Sequence, residues 1–131
     1  MAMTVSQVAR GTGVSVRTLH YYDELGLLRP SARSEAGYRL YGPADLERLQ
    51  QILFFRELGF ALEEITRIVN EPGFDVGAAL RMQRQLLAEK AVRLQALLTA
   101  VDAAIKRSEK GHLMEKQLEQ TDLTDMFKDF Q

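Results

Sequence analysis

The residues best suited to chemistry in this chain stand in the run SVRTLHYYD and, a little further on, in GYRLY. Ser15, Arg17, Thr18, His20, Tyr21 and Tyr22 belong to the first, and Tyr38, Arg39 and Tyr41 to the second. A guanidinium offers a planar fork of donors that fits phosphate oxygens and the edge of guanine. Hydroxyls of Ser, Thr and Tyr donate to phosphate and accept from base amino groups. A set of this kind reads double-stranded DNA. A solvated helix in any small α-helical domain is the alternative.

Other chemistries find less support. There is no cysteine, so disulfides, thiolate metal sites and cysteine nucleophiles are excluded. The two histidines, His20 and His112, are far apart, and His20 has an aspartate only three residues on. The pairs Glu63-Glu64 and Glu115/Glu119 read as solvated helix faces rather than paired catalytic carboxylates. No metal or cofactor is expected, and the chain does not read as an enzyme. Two binding alternatives stay open. One is a protein-interaction module acting through the long helix described below. The other is a small-molecule pocket around Phe54, Phe55 and Phe60, which otherwise read as core.

Charge adds a modest hint. The net charge is −1. Residues 1–60 carry seven Arg and no Lys against six acids, whereas residues 111–131 carry five acids against two bases. The arginine bias suits phosphate recognition, although a GC-rich coding sequence would produce it too. No apolar run approaches the ~20 residues of a membrane span. A cytoplasmic location is the natural expectation, with no membrane partner.

The elements that position the candidate residues are legible in order. Thr4 and Gln7 form a capping box, so a short helix should follow to about Arg10, with Val5, Val8 and Ala9 inward. Gly11 and Gly13 punctuate the next turn. Ser15 caps a second helix running to about Leu25, and Gly26 is placed to end it. Ala9 at the crossing, glycine in the turn, and Val14 with Leu19 in a shared core make a helix-turn-helix. With Leu19 inward, Arg17, Thr18 and Tyr21 fall on the outward face. Residues 32–34 and 38–41 then form a hairpin around Glu35-Ala36-Gly37, with Leu40 expected to face the core and Arg39 to project.

Pro43 and Asp45 open a third helix carrying Leu46, Leu49, Ile52, Leu53 and Phe55, and a shorter one spans residues 62–69. From Asp75 the pattern changes. Leu80, Leu87, Leu94 and Val101 recur every seven residues, with Leu97 and Ala104 at the other seam position and Gln83 and Lys90 weakening its earlier half. A helix over residues 76–108 would run for roughly 50 Å and needs a partner helix, most simply a second copy of the chain. Heptads leave parallel and antiparallel pairing open. Beyond it, Leu113, Met114 and Leu118 could continue a helix. Met126, Phe127 and Phe130 read as exposed apolar side chains, either a docking surface or a frayed end. The expected organisation is a DNA-binding domain over 1–74, a dimerisation helix over 75–110 and, over 111–131, an acidic tail or the start of an effector-binding domain. The fold class is mainly α: a winged helix-turn-helix followed by a long coiled-coil helix.

Three runs, GVSVRTLHYYDELGLLRP, GYRLY and DLERLQQILFFRELGFALEEI, occur in this order. Together they resemble the MerR family of bacterial transcription activators, and the RTLHYYD and LQQILFFRELGF forms resemble its TipA-like branch. Family members commonly have Arg where this chain has His20. The resemblance implies a homodimer whose long helices pair antiparallel on a palindromic operator between the −35 and −10 promoter elements. It also implies activation by bending and untwisting that operator for bacterial RNA polymerase. Ser15, Arg17, Thr18, Tyr21 and Tyr22 would be recognition-helix contacts, Tyr38, Arg39 and Tyr41 would belong to a first wing, and the start of the shorter helix at Leu62 would lie near a second. The lack of cysteine sets the chain apart from the family's metal-sensing branch. A small-molecule or peptide-antibiotic effector is implied only if a C-terminal effector domain follows.

One outcome follows from the heptads. Leu94→Asp should give monomers in sedimentation and lose operator binding; a variant that stays dimeric would show that the seam lies elsewhere.

Overall fold

The computed structural model describes residues 2–111 and 120–130. Two compact units emerge, Met1–Gln83 and Arg84–Gln131, and the longest helix contributes to both. In the first unit, strand β1 (Met3–Thr4) leads into helix α1 (Val5–Thr12) and helix α2 (Val16–Glu24). Strands β2 (Ala32–Arg33) and β3 (Arg39–Tyr41) follow, then helices α3 (Pro43–Glu57) and α4 (Leu62–Asn70), and helix α5 (Val76–Glu109) begins. Helix α6 (Gln120–Phe127) and a 3-10 turn (Lys128–Phe130) lie in the second unit.

Local chemistry sets the helix ends. Thr4 and Gln7 form the reciprocal box at α1, with the Gln7 amide donating to Thr4 Oγ1 at 3.2 Å and the Thr4 amide to Gln7 Oε1 at 2.9 Å. This helix runs further than its sequence suggests. Gly11 lies inside it and Gly13 forms the cap, its N–H donating to Ala9 O at 2.9 Å while the Thr12 hydroxyl donates to Val8 O at 2.7 Å. Helix α2 ends in a Schellman arrangement, with Leu27 N donating to Tyr22 O at 2.9 Å and Gly26 N to Asp23 O at 3.0 Å. Gly26 sits at φ 73°, where a Cβ would be strained.

The hairpin grows into a three-stranded sheet of order β1-β3-β2, all antiparallel. Met3 pairs with Tyr41 and Thr4 with Leu40, while Ala32 pairs with Leu40 and Arg33 with Arg39. The two-residue β1 has no periodicity to betray it, so sequence reading gives only the hairpin. Its turn is as expected. Gly37 N donates to Ser34 O at 2.9 Å and Ser34 N to Tyr38 O at 2.8 Å, the three-residue loop with a glycine bulge.

The core of the first unit gathers Val8, Leu19, Tyr22, Leu27, Leu28, Tyr41, Leu49, Ile52, Phe55, Ile65, Val69 and Ala79. Phe55 and Phe60 meet edge to face at 5.1 Å. Two expectations fail here. Tyr22 is 2% exposed and Tyr41 fully buried, so neither ring is available on an outer face. In β3 the core side chain is Tyr41, with Leu40 only half-buried, because neighbouring side chains of a strand point to opposite faces and the phase observed gives the core face to Tyr41.

Polar groups tie the helices together. Arg48 in α3 donates through Nε to Leu27 O at 2.7 Å and through Nη1 to Val69 O at 3.1 Å, and Nη2 reaches Asn70 Oδ1. Asn70 Nδ2 in turn donates to Gly26 O at 3.3 Å. One guanidinium therefore satisfies carbonyls at the ends of both α2's exit turn and α4. Its pKa is lowered from the ordinary guanidinium value by burial. Asp45 Oδ2 accepts from Gly42 N at 2.8 Å and Ser31 N at 3.0 Å, and from the Ser31 hydroxyl, joining the start of α3 to the hairpin.

Gln83 departs from the expected dimer seam. It is 1% exposed and pairs reciprocally with Gln51 of α3, Gln83 Nε2 donating to Gln51 Oε1 at 2.9 Å and Gln51 Nε2 to Gln83 Oε1 at 3.3 Å. Each amide satisfies the other, which is what makes burial of both tolerable. This residue belongs to the interior of the first unit.

Helix α5 spans 34 residues, close to the expected extent. Of its heptad positions, Leu80, Leu94 and Val101 are 41%, 50% and 55% exposed in the single chain. Leu87, Leu97 and Ala104 are half-buried. Near the end of the chain Phe127 and Phe130 are exposed, with centroids 6.3 Å apart, and Met126 is half-buried. His112, Leu113, Met114, Glu115, Leu118 and Glu119 lie outside the described residues. No described helix is long and apolar enough to cross a membrane.

Arg48→Met should destabilise the chain by about 2 kcal/mol, because two carbonyls lose a charged donor; an unfolding midpoint in urea that hardly moves would refute the bracing role. Tyr41 has its pKa raised by burial and then by the charge of Asp23. The unfolded chain therefore releases this proton first, near pH 10, and stability falls as pH rises past that value. Among the described residues the Tyr41 hydroxyl has no hydrogen-bonding partner. Tyr41→Phe should gain about 1 kcal/mol at neutral pH, soften the alkaline loss and leave DNA affinity intact. Weakened DNA binding with an unchanged melting temperature would place the hydroxyl at the DNA instead.

Candidate nucleic-acid interface

Helix α2 is fixed from behind by its apolar stripe. Leu19 and Tyr22 are buried, and the Tyr22 hydroxyl accepts from Arg56 Nη1 of α3 at 3.3 Å. The opposite face is open. Val16, Arg17, Thr18, His20, Tyr21 and Glu24 line a shallow groove there. Arg17 is exposed and Tyr21 is 48% exposed, whereas Thr18 and His20 are half-buried.

Two of the expected contact residues carry a structural duty as well. Ser15 caps α2, its Oγ accepting from Thr18 N at 3.0 Å, and its hydroxyl donates to Thr18 Oγ1 at 2.8 Å. Ser15 is exposed and stands at the positive end of the helix dipole, a favourable place for a phosphate. Thr18 retains its own hydroxyl proton as a donor.

The hairpin adds a second surface. Tyr38 is 69% exposed at its tip. Arg33 Nη1 donates to Gly37 O at 3.3 Å and stiffens that tip. Arg39 does not project freely. Its Nε donates to Asp23 Oδ2 of α2 at 2.9 Å, with side-chain exposures of 30% and 19% for Arg39 and Asp23. Sheet and helix are thereby pinned to one another.

Of the nine residues expected at DNA, the structure leaves seven with at least partial access: Ser15, Arg17, Thr18, His20, Tyr21, Tyr38 and Arg39. Tyr22 and Tyr41 serve the core behind them. Sequence reading missed Asp23, Arg48 and Gln51. An acid in the last turn of α2, where the helix dipole disfavours it, was the available signal for Asp23. For Arg48 and Gln51 there was none, since each looks like an ordinary polar position on an amphipathic helix. Among the described residues no cluster of His, Asp or Glu could hold a metal ion.

Comparison with known proteins agrees with this geometry. The family model described as "MerR HTH family regulatory protein" matches residues 3–71, and "MerR, DNA binding" matches residues 46–107. The HTH-type transcriptional activator mta of Bacillus subtilis (strain 168) is 49% identical over 116 residues, covering 88% of this chain and 45% of mta. The HTH-type transcriptional activator TipA of Streptomyces coelicolor is 50% identical over 111 residues, covering 85% of this chain and 44% of TipA. The chain thus spans less than half the length of these curated relatives. Among solved structures, the HTH-type transcriptional regulator SkgA from Caulobacter crescentus superposes with a TM-score of 0.77 at 44% identity, over 97% of this chain and 88% of that one. With family models covering most of the chain and a fold held by the residues those models span, the chain belongs to the MerR family of helix-turn-helix regulatory proteins, in the branch that includes TipA, mta and SkgA.

Proposed function

We propose that this chain is a transcription regulator that binds double-stranded promoter DNA as a homodimer. The observation that carries the reading is the open face of α2, where Arg17, Thr18, His20 and Tyr21 stand together on a helix braced from behind. An α-helix fits the major groove, and these side chains suit base edges and phosphates. Tyr38 and Arg39 on the hairpin, the wing of this domain, take the neighbouring phosphates. Ser15 adds a contact at the helix N-terminus.

Membership of the family supports a palindromic operator between the −35 and −10 elements, activation by distorting it, and RNA polymerase as the partner at the promoter. Two recognition helices must then be held at one spacing, which calls for a dimer. The exposed apolar side chains Leu80, Leu94 and Val101 suit pairing of α5 with its copy, Leu87, Leu97 and Ala104 continue that seam, and membership of the family supports the antiparallel arrangement. The working organisation is a DNA-binding part over 1–74, a dimerisation helix over 75–110 and an acidic segment over 111–131. A small-molecule or peptide-antibiotic effector would act through a C-terminal domain, if the full protein carries one. The site of action is the cytoplasm, where promoter DNA is.

A footprint of the purified chain on the promoter of its own gene, at two salt concentrations, tests the reading. Protection of a palindrome between the two promoter elements, weakening steeply with salt, is expected. Absence of protection at low salt would overturn it for this chain. Within the same assay Arg17→Ala should cost ~1–3 kcal/mol if Arg17 grips a base with both arms; an unchanged affinity would remove Arg17 from the interface.

A further inference from the structure

Asp23 is in an unfavourable place twice over. It sits in the last turn of α2, with Glu24 beside it and no basic residue in that turn. The carbonyl end of a helix carries partial negative charge, so an acid there is destabilising. It also lies on the helix proposed to approach a polyanion, where a carboxylate repels phosphate. Neither local helix chemistry nor DNA attraction accounts for an acid at this position.

Tertiary structure accounts for it. The Asp23 carboxylate, Oδ2, accepts from Arg39 Nε at 2.9 Å, across 16 residues of chain and from a different element. Asp23 is the less exposed partner, at 19%. Only Nε of Arg39 is engaged in this bond, and its two Nη groups make no hydrogen bond among the described residues. Without that pairing the Arg39 side chain, with its several rotatable bonds, would lose ordering entropy on meeting a phosphate. With it, the guanidinium is pre-set on the end of the recognition helix.

We propose that Asp23 is a positioning residue for DNA binding: it locks the wing's Arg39 to the recognition helix so that helix and wing engage one duplex as a unit, with the free Nη groups of Arg39 directed to a backbone phosphate. The inference rests on the DNA-binding reading above. It assigns to an acid a favourable role at an interface where simple electrostatics assigns an unfavourable one, and this opposition of signs makes it testable.

The experiment measures affinity for duplex DNA from the promoter of the chain's own gene, as a function of salt. It compares the unaltered chain, Asp23→Asn, Arg39→Ala and the double variant, each with its melting temperature. Arg39→Ala should weaken binding and reduce the salt slope by about 1, the loss of one phosphate contact. Asp23→Asn should weaken binding roughly five- to tenfold at every salt concentration. In the Arg39→Ala background the same change should be neutral or should tighten binding, since only the repulsion of phosphate is then removed. Asp23→Ala, as a second variant, should repeat this non-additivity. Tighter or unchanged binding by Asp23→Asn in the otherwise unaltered chain would overturn the proposal and leave the DNA reading standing. Equal weakening in both backgrounds would overturn it too, since Asp23 would then support the fold and not Arg39. An unaltered chain that ignores the duplex even at low salt would overturn both readings.

Discussion

The guanidinium of Arg48 is the point on which the first unit turns. It donates to the carbonyls of Leu27 and Val69 and reaches Asn70, which itself donates to Gly26. The end of a helix leaves carbonyls without partners, and a buried carbonyl without a donor is costly. Here the exit turn of α2 and the end of α4 share one donor on α3. Helix α2 is therefore fixed at its far end by a residue that never approaches its open face. Burial depresses the Arg48 pKa, though an arginine starts so high that its charge persists. A lysine would offer no planar fork to reach three acceptors at once.

Around that brace, the unit separates its duties by face. Tyr22 and Tyr41 place large rings in the core and hold α2 and β3 from behind. Arg17, Tyr21 and Tyr38 take the open side. Between the two lie polar pairs that orient the helix: Ser15 with Thr18 at the start of α2, and Asp23 with Arg39 at its end. The helix is thus gripped at both ends by polar pairs and along its length by apolar packing. Such rigidity lowers the ordering cost of binding.

The long helix carries two programmes in one sequence. Its first turns belong to the first unit: Ala79 is in the core and Gln83 makes a closed amide pair with Gln51. Further on, Leu94, Leu98, Val101 and Ile105 stand exposed. A polar residue in a heptad frame looks like a flaw in the seam, yet Gln83 answers to a different partner. Heptad positions are only a frame of phase, and phase alone does not say which surface a residue meets.

Much of the fold was legible from local chemistry. The capping box at Thr4, the cap at Ser15, the stop at Gly26, the hairpin at Gly37 and the reach of α5 follow from interactions within a few residues, which a sequence displays directly. The open face of α2 was legible too, because one inward residue, Leu19, fixes the phase of a short helix. What escaped needed partners distant in the chain. The two-residue β1 exists only because β3 offers it an edge. Tyr22 and Tyr41 read as polar-tipped contact residues until the neighbouring elements close over their rings. Asp23 reads as a misplaced acid until Arg39 arrives from the sheet, and Gln83 as a seam defect until Gln51 arrives from α3. By itself the sequence determined the main helices and the hairpin, most of their ends, and the family. Only the tertiary structure decided which polar side chains stay open on the outer faces of α2 and the hairpin and which hold the others still, because that choice depends on burial and on pairing across tens of residues, and neither has a local signature.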